Sequence, residues 1–419
     1  MADKGFQSLP GFRDFLPELC DVRNYLFAQW RDVAKRYSFT EYETPLLEDT
    51  ALYLKKSGGE LTTQLFRFED QGGRDVTLRP EVTASVGRLV MSNHQKFPKP
   101  LKWFEIGQCF RYEKPQKGRG REFFQFNVDI FGEAGVVADA ELIAVAIDTM
   151  RVLGFQKDDF VVRVSDRKAW IQYANDKGIA EADHTDFLQV IDKLERDSEE
   201  KTNEKLKPYG LTRAEVEAFI ADPQDYVSDY QAIRENLEAR GLAEYLELDL
   251  TIVRGLAYYT GTVFELFDTA KDMRSIAGGG RYDTLISDLS DGKEDVPATG
   301  FAMGDYVIKN LIESTPHALA QMESWIAAHQ ASDVYVVLAD KEKNVESLGV
   351  AQKLRDLGLS VELPFKAGNV GKQFKKAASS GTRYSLVIGG EYPEVAVKNM
   401  ATREEVLVPV DQLSLENFQ

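Results

Sequence analysis

A run of basic residues stands out in an acidic chain. Residues 110–123 read FRYEKPQKGRGREF and hold five Lys and Arg against two acidic residues, although the 419-residue chain carries a net charge of −17. Arginines donate paired hydrogen bonds to phosphate oxygens, and an aromatic ring can stack on a base. This basic loop between two strands therefore indicates a grip for a polyphosphate. An ordinary charged hairpin tip is the alternative.

A second segment places a carboxylate next to a hydroxyl. Residues 78–83 read LRPEVT, in which Pro80 stiffens the backbone before Glu81 and Thr83. A carboxylate and a hydroxyl with one residue between them suit an ammonium group. The start of a helix with a glutamate in its first turn is the alternative interpretation.

Two glycine-containing segments with tyrosines lie further along the chain. Residues 254–261 read RGLAYYTG, and residues 277–283 read AGGGRYD. Glycine allows close approach of the backbone to a ligand, and tyrosines beside it suit a tight pocket for a small polar molecule. Two turns on either side of a strand at 262–267 are the alternative.

Hydrophobic periodicity predicts the elements that must position these residues. Residues 23–37 have helical spacing, and an extended stretch follows as far as Pro45. Charged residues with helical spacing between Lys168 and Tyr245 indicate an inserted helical module. Strands are predicted at 101–111, 123–131, 160–164, 248–253 and 262–267. Strands without regular alternation with helices favour an α+β domain on an antiparallel sheet.

The last quarter of the chain follows another pattern. After a helical stretch at 318–328, strands are predicted at 334–338, 361–363, 386–388, 395–398 and 406–408, with helices at 345–357 and 370–378. This alternation predicts an α/β domain with a mostly parallel sheet. We therefore expect one domain at 1–328, with its insertion at about 168–245, and a second at 332–419. The second is close to neutral, with 11 Lys and Arg against 12 Asp and Glu from Ala331 onward.

Composition narrows the class of protein. A hydrophobic fraction of 43% is sufficient for packed cores, and the length predicts two or three domains. The absence of a long apolar run or a signal-like start predicts a cytoplasmic protein without a membrane partner. Two cysteines and four histidines, all scattered, argue against a disulfide framework or a protein metal site. The negative charge disfavours sequence-blind nucleic-acid binding but not a local basic site.

In this order and spacing, the basic loop, RGLAYYTG and GGGRYD resemble histidyl-tRNA synthetases, over nearly the whole chain. The helix and strand ending at Pro45 resemble class II motif 1, residues 110–131 resemble motif 2, and the glycine segments resemble the two histidine motifs. The resemblance implies a class II antiparallel-sheet catalytic domain with a helical insertion, followed by a C-terminal α/β anticodon-binding domain. It also implies that a homodimer, paired through motif 1, activates L-histidine with ATP and Mg²⁺ and transfers it to tRNA(His).

The resemblance further implies a role for each site residue. The expected ATP ligands are Arg111, Glu113, Arg119 and Phe123. The expected histidine ligands are Glu81, Thr83, Gln125, Asp129, Arg254, Tyr258, Tyr259 and Tyr282. Catalysis is assigned to Arg111 on the α-phosphate and to Arg254, which would bridge that phosphate and the histidine carboxylate. In this scheme Glu81, Thr83 and Gln125 hold the α-amino group, and Asp129 and Tyr259 read the imidazole.

Two segments depart from the family pattern. Ala257 stands where an aspartate is usual, and motif 3 ends in GDYV at 304–307 instead of Gly-Leu-Glu-Arg, so Val307 replaces the arginine that clamps the nucleotide. The lost arginine leaves a second function open, that of the non-catalytic, histidine-sensing regulatory subunit of ATP phosphoribosyltransferase. The complete basic loop and the C-terminal domain favour the synthetase.

Overall fold

The computed structural model describes residues 6–55, 59–114, 118, 120–223, 226–253, 259–270 and 275–418. The chain divides into two compact units, Met1–Gln321 and Met322–Gln419. Within the described ranges, no helix has the length and apolar character that crossing a membrane requires.

The first unit combines helices with two sheets. Its helices are α1 (Pro17–Arg36), α2 (Thr50–Leu54), α3 (Gly59–Thr62), α4 (Thr83–Asn93), α5 (Val136–Val152), α6 (Arg167–Asp176), α7 (His184–Ile191), α8 (Glu199–Leu206), α9 (Arg213–Ala221), α10 (Ser228–Ala239), α11 (Leu285–Leu289) and α12 (Asp305–Ser314). Its strands are β1 (Thr40–Glu41), β2 (Leu47–Asp49), β3 (Phe66–Glu69), β4 (Asp75–Leu78), β5 (Leu101–Phe110), β6 (Glu122–Phe131), β7 (Phe160–Asp166), β8 (Leu246–Leu248), β9 (Thr262–Asp268), β10 (Ala277–Arg281) and β11 (Ala298–Gly304). Helix α13 (Pro316–Gln330) contains the division between the units.

The large sheet has the strand order β1-β5-β6-β11-β10-β9-β7-β8. Neighbours from β5 to β7 run antiparallel, and the outermost pairs, β1 with β5 and β7 with β8, run parallel. The expected α+β class with an antiparallel sheet is therefore confirmed. A small antiparallel sheet, β2-β4-β3, adjoins the start of α4 in sequence.

Alternation along β6 separates the two faces of the large sheet. Its even-numbered residues pack on α1, where Trp30 stacks on Phe126 with ring centroids 5.5 Å apart and Phe27 meets Phe124 edge-on. The odd-numbered residues point to the opposite face because successive strand side chains alternate. Helix α1 begins at Pro17, earlier than its apolar periodicity predicts, because proline suits the first helical position.

The inserted helices α6–α10 lie between β7 and β8 in the chain. Helices α6–α9 have a core of their own around Trp170, Phe187 and Phe219, whereas α10 packs mainly on α5. One strand prediction nearby is wrong beyond Leu248. The Asp249 carboxylate accepts hydrogen bonds from the backbone and hydroxyl of Thr251, and such local bonds compete with strand pairing.

A buried guanidinium joins the small sheet to the large one. Arg79, directly after β4, forms an ion pair of 2.5 Å with Glu105 on β5 and donates to the carbonyls of Thr44 and Gln108. Thr44 completes the network by donating its hydroxyl to the same glutamate at 2.9 Å. Both charged side chains are buried, so their mutual contacts determine where the chain after β4 runs.

The second unit contains β12 (Val334–Leu338), α14 (Asn344–Asp356), β13 (Val361–Glu362), α15 (Val370–Ser379), β14 (Tyr384–Ile388), β15 (Glu394–Asn399) and β16 (Glu405–Pro409). Its sheet has the order β13-β12-β14-β15-β16. The expectation of a mostly parallel sheet is wrong. The pairs β14–β15 and β15–β16 are antiparallel because short turns connect them, whereas helices connect the parallel strands.

Removing the Arg79 guanidinium should strongly destabilise the first unit, because the buried Glu105 carboxylate would lose its cation. We expect Arg79→Ala to lower the free energy of unfolding by about 3–5 kcal/mol, measured by urea denaturation with tryptophan fluorescence. Arg79→Met combined with Glu105→Leu should cost less than the single change, since it leaves no unpaired charge. Arg67→Ala is the control, because Arg67 on β3 pairs with Asp75 in solvent and its loss should be small. Equal losses for Arg79→Ala and Arg67→Ala would contradict the assigned role.

Candidate active site

A cleft lies on the odd-numbered face of β6. Its lining includes seven of the residues expected from sequence: Glu81, Thr83, Arg111, Gln125, Asp129, Tyr259 and Tyr282. The remaining lining residues are Asn127, Gly278, Gly300, Phe301 and Ala302. Segments far apart in the chain thus converge on one small depression of the large sheet.

The other five expected residues include three that fall outside the described ranges. Arg119, Arg254 and Tyr258 lie outside the described residues, as does Ala257. Phe123 is half-buried on the odd-numbered face of β6, and the Arg111 guanidinium lies 5.3 Å from the centre of its ring. Glu113 is half-buried beside the basic loop, where its carbonyl accepts from Arg121 Nε at 3.2 Å, and it is not part of the cleft lining.

The carboxylate and hydroxyl of the LRPEVT segment lie at the start of a helix. Helix α4 begins at Thr83, so the helix start in the alternative is confirmed, but its first turn holds no glutamate. Buried Glu81 lies two residues before the helix. Both residues nevertheless line the cleft. Arg111 fixes their position from the other side, because its Nε donates to the Pro80 carbonyl at 2.9 Å.

Asp129 is the most deeply buried acid of the cleft, with an exposed fraction of 1%. Its Oδ1 accepts a short hydrogen bond from the Tyr282 hydroxyl, and Oδ2 is buried without a hydrogen-bond partner among the residues the structure describes. Burial raises the pKa of Asp129 to about 7; the Tyr282 bond opposes this rise and the charge of Glu105 adds to it. A carboxyl in this state can accept a hydrogen bond from a ligand at neutral pH.

Gly300 makes room for this carboxyl. It pairs with Asp129 across β11 and β6, and a Cβ built at this glycine would overlap Asp129 Oδ1 and crowd the Tyr282 hydroxyl. Any larger residue would therefore displace the acid or its hydrogen-bond donor. Gly300 is thus part of the site geometry.

Arg281 holds the GGGRYD segment in place. Its guanidinium forms a buried ion pair of 2.8 Å with Asp139 on α5 and donates to the carbonyls of Glu133 and Gly135. Asp139 also accepts from the Thr299 hydroxyl at 2.7 Å. These contacts lock the end of β10 and so orient Tyr282, the next residue, towards Asp129.

Sequence reasoning missed Asn127. It is buried, lines the cleft and has an Oδ1 atom without a hydrogen-bond partner in the described part of the chain. The period-two pattern of β6 was the available signal, because Asn127 lies between Gln125 and Asp129 on the same face. Arg79 and Arg281 were also assigned no role, since their partners lie far away in sequence.

The cleft combines two acids with a cation at its rim. Glu81 and Asp129 can accept hydrogen bonds from the donors of a small ligand, and Arg111 can bind an anion.

A larger cavity elsewhere in the first unit, about 580 Å³, contains none of the expected residues. Its Arg151 and Lys157 pair with acids. Within the ranges described, no group of three or more His, Cys, Asp and Glu side chains could hold a metal ion.

Comparisons with known proteins agree on one family. A family model described as histidyl-tRNA synthetase matches residues 11–305, and one described as anticodon binding domain matches residues 333–416. A histidine–tRNA ligase of Opitutus terrae is 39% identical over 97% of both chains. A histidine–tRNA ligase of Haloarcula marismortui is 35% identical over 97% of this chain and 96% of its own. A crystal structure of histidyl-tRNA synthetase from a Nostoc species superposes with a TM-score of 0.74 at 23% identity and 97% coverage of each chain, which shows a shared fold.

The raised pKa of Asp129 predicts that this residue destabilises the fold at neutral and higher pH. An aspartate with a pKa near 3.9 when unfolded and about 7 when folded loses its stabilising contribution as the pH rises from about 4 to 7. Asp129→Asn removes this titration and should raise the unfolding temperature more at pH 8 than at pH 5, measured by calorimetry.

Asp197→Asn is the control, for which we expect the opposite change in unfolding temperature. Hydrogen bonds from Lys201 and Lys205 lower the pKa of Asp197 to about 2, so its ionised form stabilises the fold at neutral pH and its loss should lower the unfolding temperature. A lower unfolding temperature for Asp129→Asn at pH 8 would contradict the description of the buried acid.

Proposed function

The chain belongs to the histidyl-tRNA synthetase family, with the activity of an aminoacyl-tRNA synthetase that joins histidine to tRNA, and we propose that the cleft beside β6 is where L-histidine is activated with ATP. The observation that carries this proposal is the convergence of Glu81, Thr83 and Gln125 with Asp129 and Tyr282 in one depression. Histidine carries an ammonium group at one end and ring nitrogens at the other. The ammonium group would match Glu81, Thr83 and Gln125, and the ring would match Asp129 and Tyr282.

Activation joins the histidine carboxylate to the nucleotide. A carboxylate oxygen attacks the α-phosphorus of ATP, the bond from that phosphorus to the β-bridging oxygen breaks, and pyrophosphate leaves. A ribose hydroxyl at the 3′ end of the tRNA then attacks the activated carbonyl, and AMP leaves. Neither step needs a nucleophile from the protein, so the chain contributes alignment and stabilisation of charge.

We assign recognition of the ring to the buried end of the cleft. Tyr282 donates to one oxygen of Asp129, which directs the other oxygen, Oδ2, to the N–H of an imidazole. Buried Tyr259 lies beside them and would meet the second ring nitrogen. Glu81, Thr83 and Gln125 would hold the α-amino group. The site has a polar partner for each hydrogen-bond donor of histidine. Ligands that lack these donors are disfavoured, because they would leave the partners unpaired.

We assign the nucleotide to the rim formed by motif 2. We propose that Phe123 stacks on adenine. Arg111, which contacts both Pro80 and Phe123, would then join the histidine end of the cleft to the adenine end. We also propose that Arg119 and Arg254 contact the phosphates and that Glu113 contacts the nucleotide. Mg²⁺ would be bound mainly by the triphosphate and supply positive charge there, since the described residues form no metal cluster of their own.

Val307 replaces the usual motif 3 arginine on α12. Its side chain is half-buried, and a Cβ built at Gly118 of the basic loop would lie 4.0 Å from it. A longer side chain at position 307 would therefore extend along the loop that is proposed to hold the phosphates. We propose that Arg111, Arg119 and Arg254 are sufficient for that role.

The regulatory subunit of ATP phosphoribosyltransferase is not favoured as an alternative. Curated relatives that are 32–39% identical over nearly the whole chain are named histidine–tRNA ligases. The second unit matches the model of an anticodon binding domain, which a histidine sensor does not require. We propose that this unit, at about 332–419, binds the anticodon arm of tRNA(His).

We further propose a homodimer that works in the cytoplasm. Around motif 1 and the small sheet the surface exposes apolar side chains with exposed fractions of 42–47%, namely Leu46, Leu47, Leu54 and Phe68. Clustered apolar residues on a surface favour an interface, and a two-fold pairing of motif 1 with its own copy would cover them. Both cysteines are free thiols, which suits a reducing compartment.

Histidine-dependent exchange of pyrophosphate into ATP tests the proposed activity directly. We expect exchange by the parent protein at saturating ATP and Mg²⁺. Asp129→Ala should lower kcat/KM for histidine by about 30- to 1000-fold, since a buried donor would lose a charged acceptor worth about 2–4 kcal/mol, with little change in KM for ATP. Asp268→Ala, a buried acid on β9 that is not among the lining residues, is the control.

No exchange by the folded parent would refute the proposed activity. A histidine kcat/KM for Asp129→Ala within about threefold of the parent would refute only the assignment of Asp129 to the ring.

Light scattering tests the proposed dimer. We expect a mass of twice the 47.2 kDa chain, and Leu46→Arg combined with Phe68→Arg should shift the protein towards monomer, because two cations would be buried at the interface. Val406→Arg, at an exposed position of the second unit, should leave the mass unchanged. A monomeric parent at micromolar concentration would contradict the proposal.

A further inference from the structure

One aromatic side chain of the second unit is fully exposed. Phe365 has an exposed fraction of 100%, although phenylalanine is among the residue types most often buried. It lies in the loop at 363–369, between β13 and α15. Phe365 belongs to neither of the core clusters that cover the two faces of the sheet, so this ring has no packing role in the core.

The loop leaves the sheet at the edge where ligands commonly bind. Strands β13, β12 and β14 run parallel and therefore end at the same edge. Helix α14, which follows β12, packs on one face of the sheet, and α15, which follows the neighbouring strand β13, packs on the other. The connections after β12 and β13 therefore leave the sheet towards opposite faces. In such sheets ligands occupy the crevice outside the carboxyl ends of the strands at this switch in topology.

A buried glutamine fixes the base of the loop. The amide of Gln373 on α15 donates to the carbonyls of Gly368 and Leu338 and accepts from the Leu338 backbone at 2.9 Å. Asn369 caps α15 by accepting from the backbone of Lys372. The loop is therefore anchored to the end of β12, and Phe365 projects from an ordered base.

The charge around Phe365 suits a nucleic acid. Lys366 is its neighbour in sequence, and Lys372 and Lys375 are exposed on α15. Lys376, also on α15, pairs with Glu362 and is less available. Two acids lie at this edge: Glu362, three residues before the ring, pairs with Lys376, and Asp340 uses its carboxylate to cap the turn before α14. An exposed ring flanked by lysines combines stacking with phosphate contacts, the usual means of holding unpaired bases.

We propose that Phe365 stacks on an unpaired base of the anticodon loop, with Lys366 and Lys372 on the neighbouring phosphates. The proposal rests on the proposed function and specifies the surface of the second unit that meets the RNA. The four residues that follow the ring, 366–369, are a lysine, an alanine, a glycine and an asparagine, so the apolar surface of the ring does not continue along this side of the loop.

The test compares Phe365→Ala with Phe365→Trp in the full-length protein. Loss of one stacked base corresponds to about 5- to 150-fold in affinity. We expect Phe365→Ala to lower kcat/KM for full-length tRNA(His) within this range and to weaken binding of an isolated anticodon stem-loop, measured by fluorescence anisotropy. Phe365→Trp should restore both values, and binding of an acceptor-stem minihelix should stay unchanged in both variants.

Histidine-dependent pyrophosphate exchange separates this proposal from the proposed function. Exchange should be equal in the parent and both variants, because activation does not involve the second unit. Val406→Ala, which shortens another exposed apolar residue on the far edge strand β16, is the matched control and should change nothing.

The possible results distinguish the proposed function from the stacking proposal. Absence of exchange in the parent would refute the proposed function. With exchange present, stem-loop binding by Phe365→Ala within twofold of the parent would overturn the stacking proposal, as would equal losses for the stem-loop and the minihelix or a failure of Phe365→Trp to restore binding.

Discussion

The buried ion pair of Arg79 with Glu105 is the interaction on which the geometry of the cleft depends. It joins the end of the motif 1 segment, the residues after β4 and the middle of β5 in a region closed to water. Because an unpaired charge there would be costly, the three segments are held in one arrangement. Glu81 and Thr83 follow within four residues of Arg79 and therefore reach the cleft at a defined position.

The buried acid of the cleft imposes a second constraint. Asp129 is held in the interior at the expense of stability, since burial opposes its ionisation. Glycine at position 300 and the hydroxyl of Tyr282 are the structural conditions that make the carboxyl tolerable there. Residues retained despite a cost to stability are typical of functional sites. The raised pKa therefore supports a role in binding as much as the position of the residue does.

An acidic protein can still bind RNA through small local surfaces. The chain carries a net charge of −17, and this disfavours a grip based on total charge. The basic loop and the edge of the second sheet concentrate cations beside aromatic rings instead. Recognition would then depend on stacking and on a few placed phosphate contacts, which bring specificity that a uniformly basic surface does not offer.

The sequence by itself determined the elements and the family. Local periodicity predicted α1, β5, β6 and the strand and helix order of the last quarter, because burial on one face repeats at fixed spacing, and motif residues identified most of the cleft lining. The tertiary structure alone decided which residues hold that lining in place. Arg79 meets an acid 26 residues away and Arg281 one 142 residues away. The mixed second sheet, the place of Asn127 and the exposure of Phe365 likewise depend on packing between segments, which no local pattern encodes.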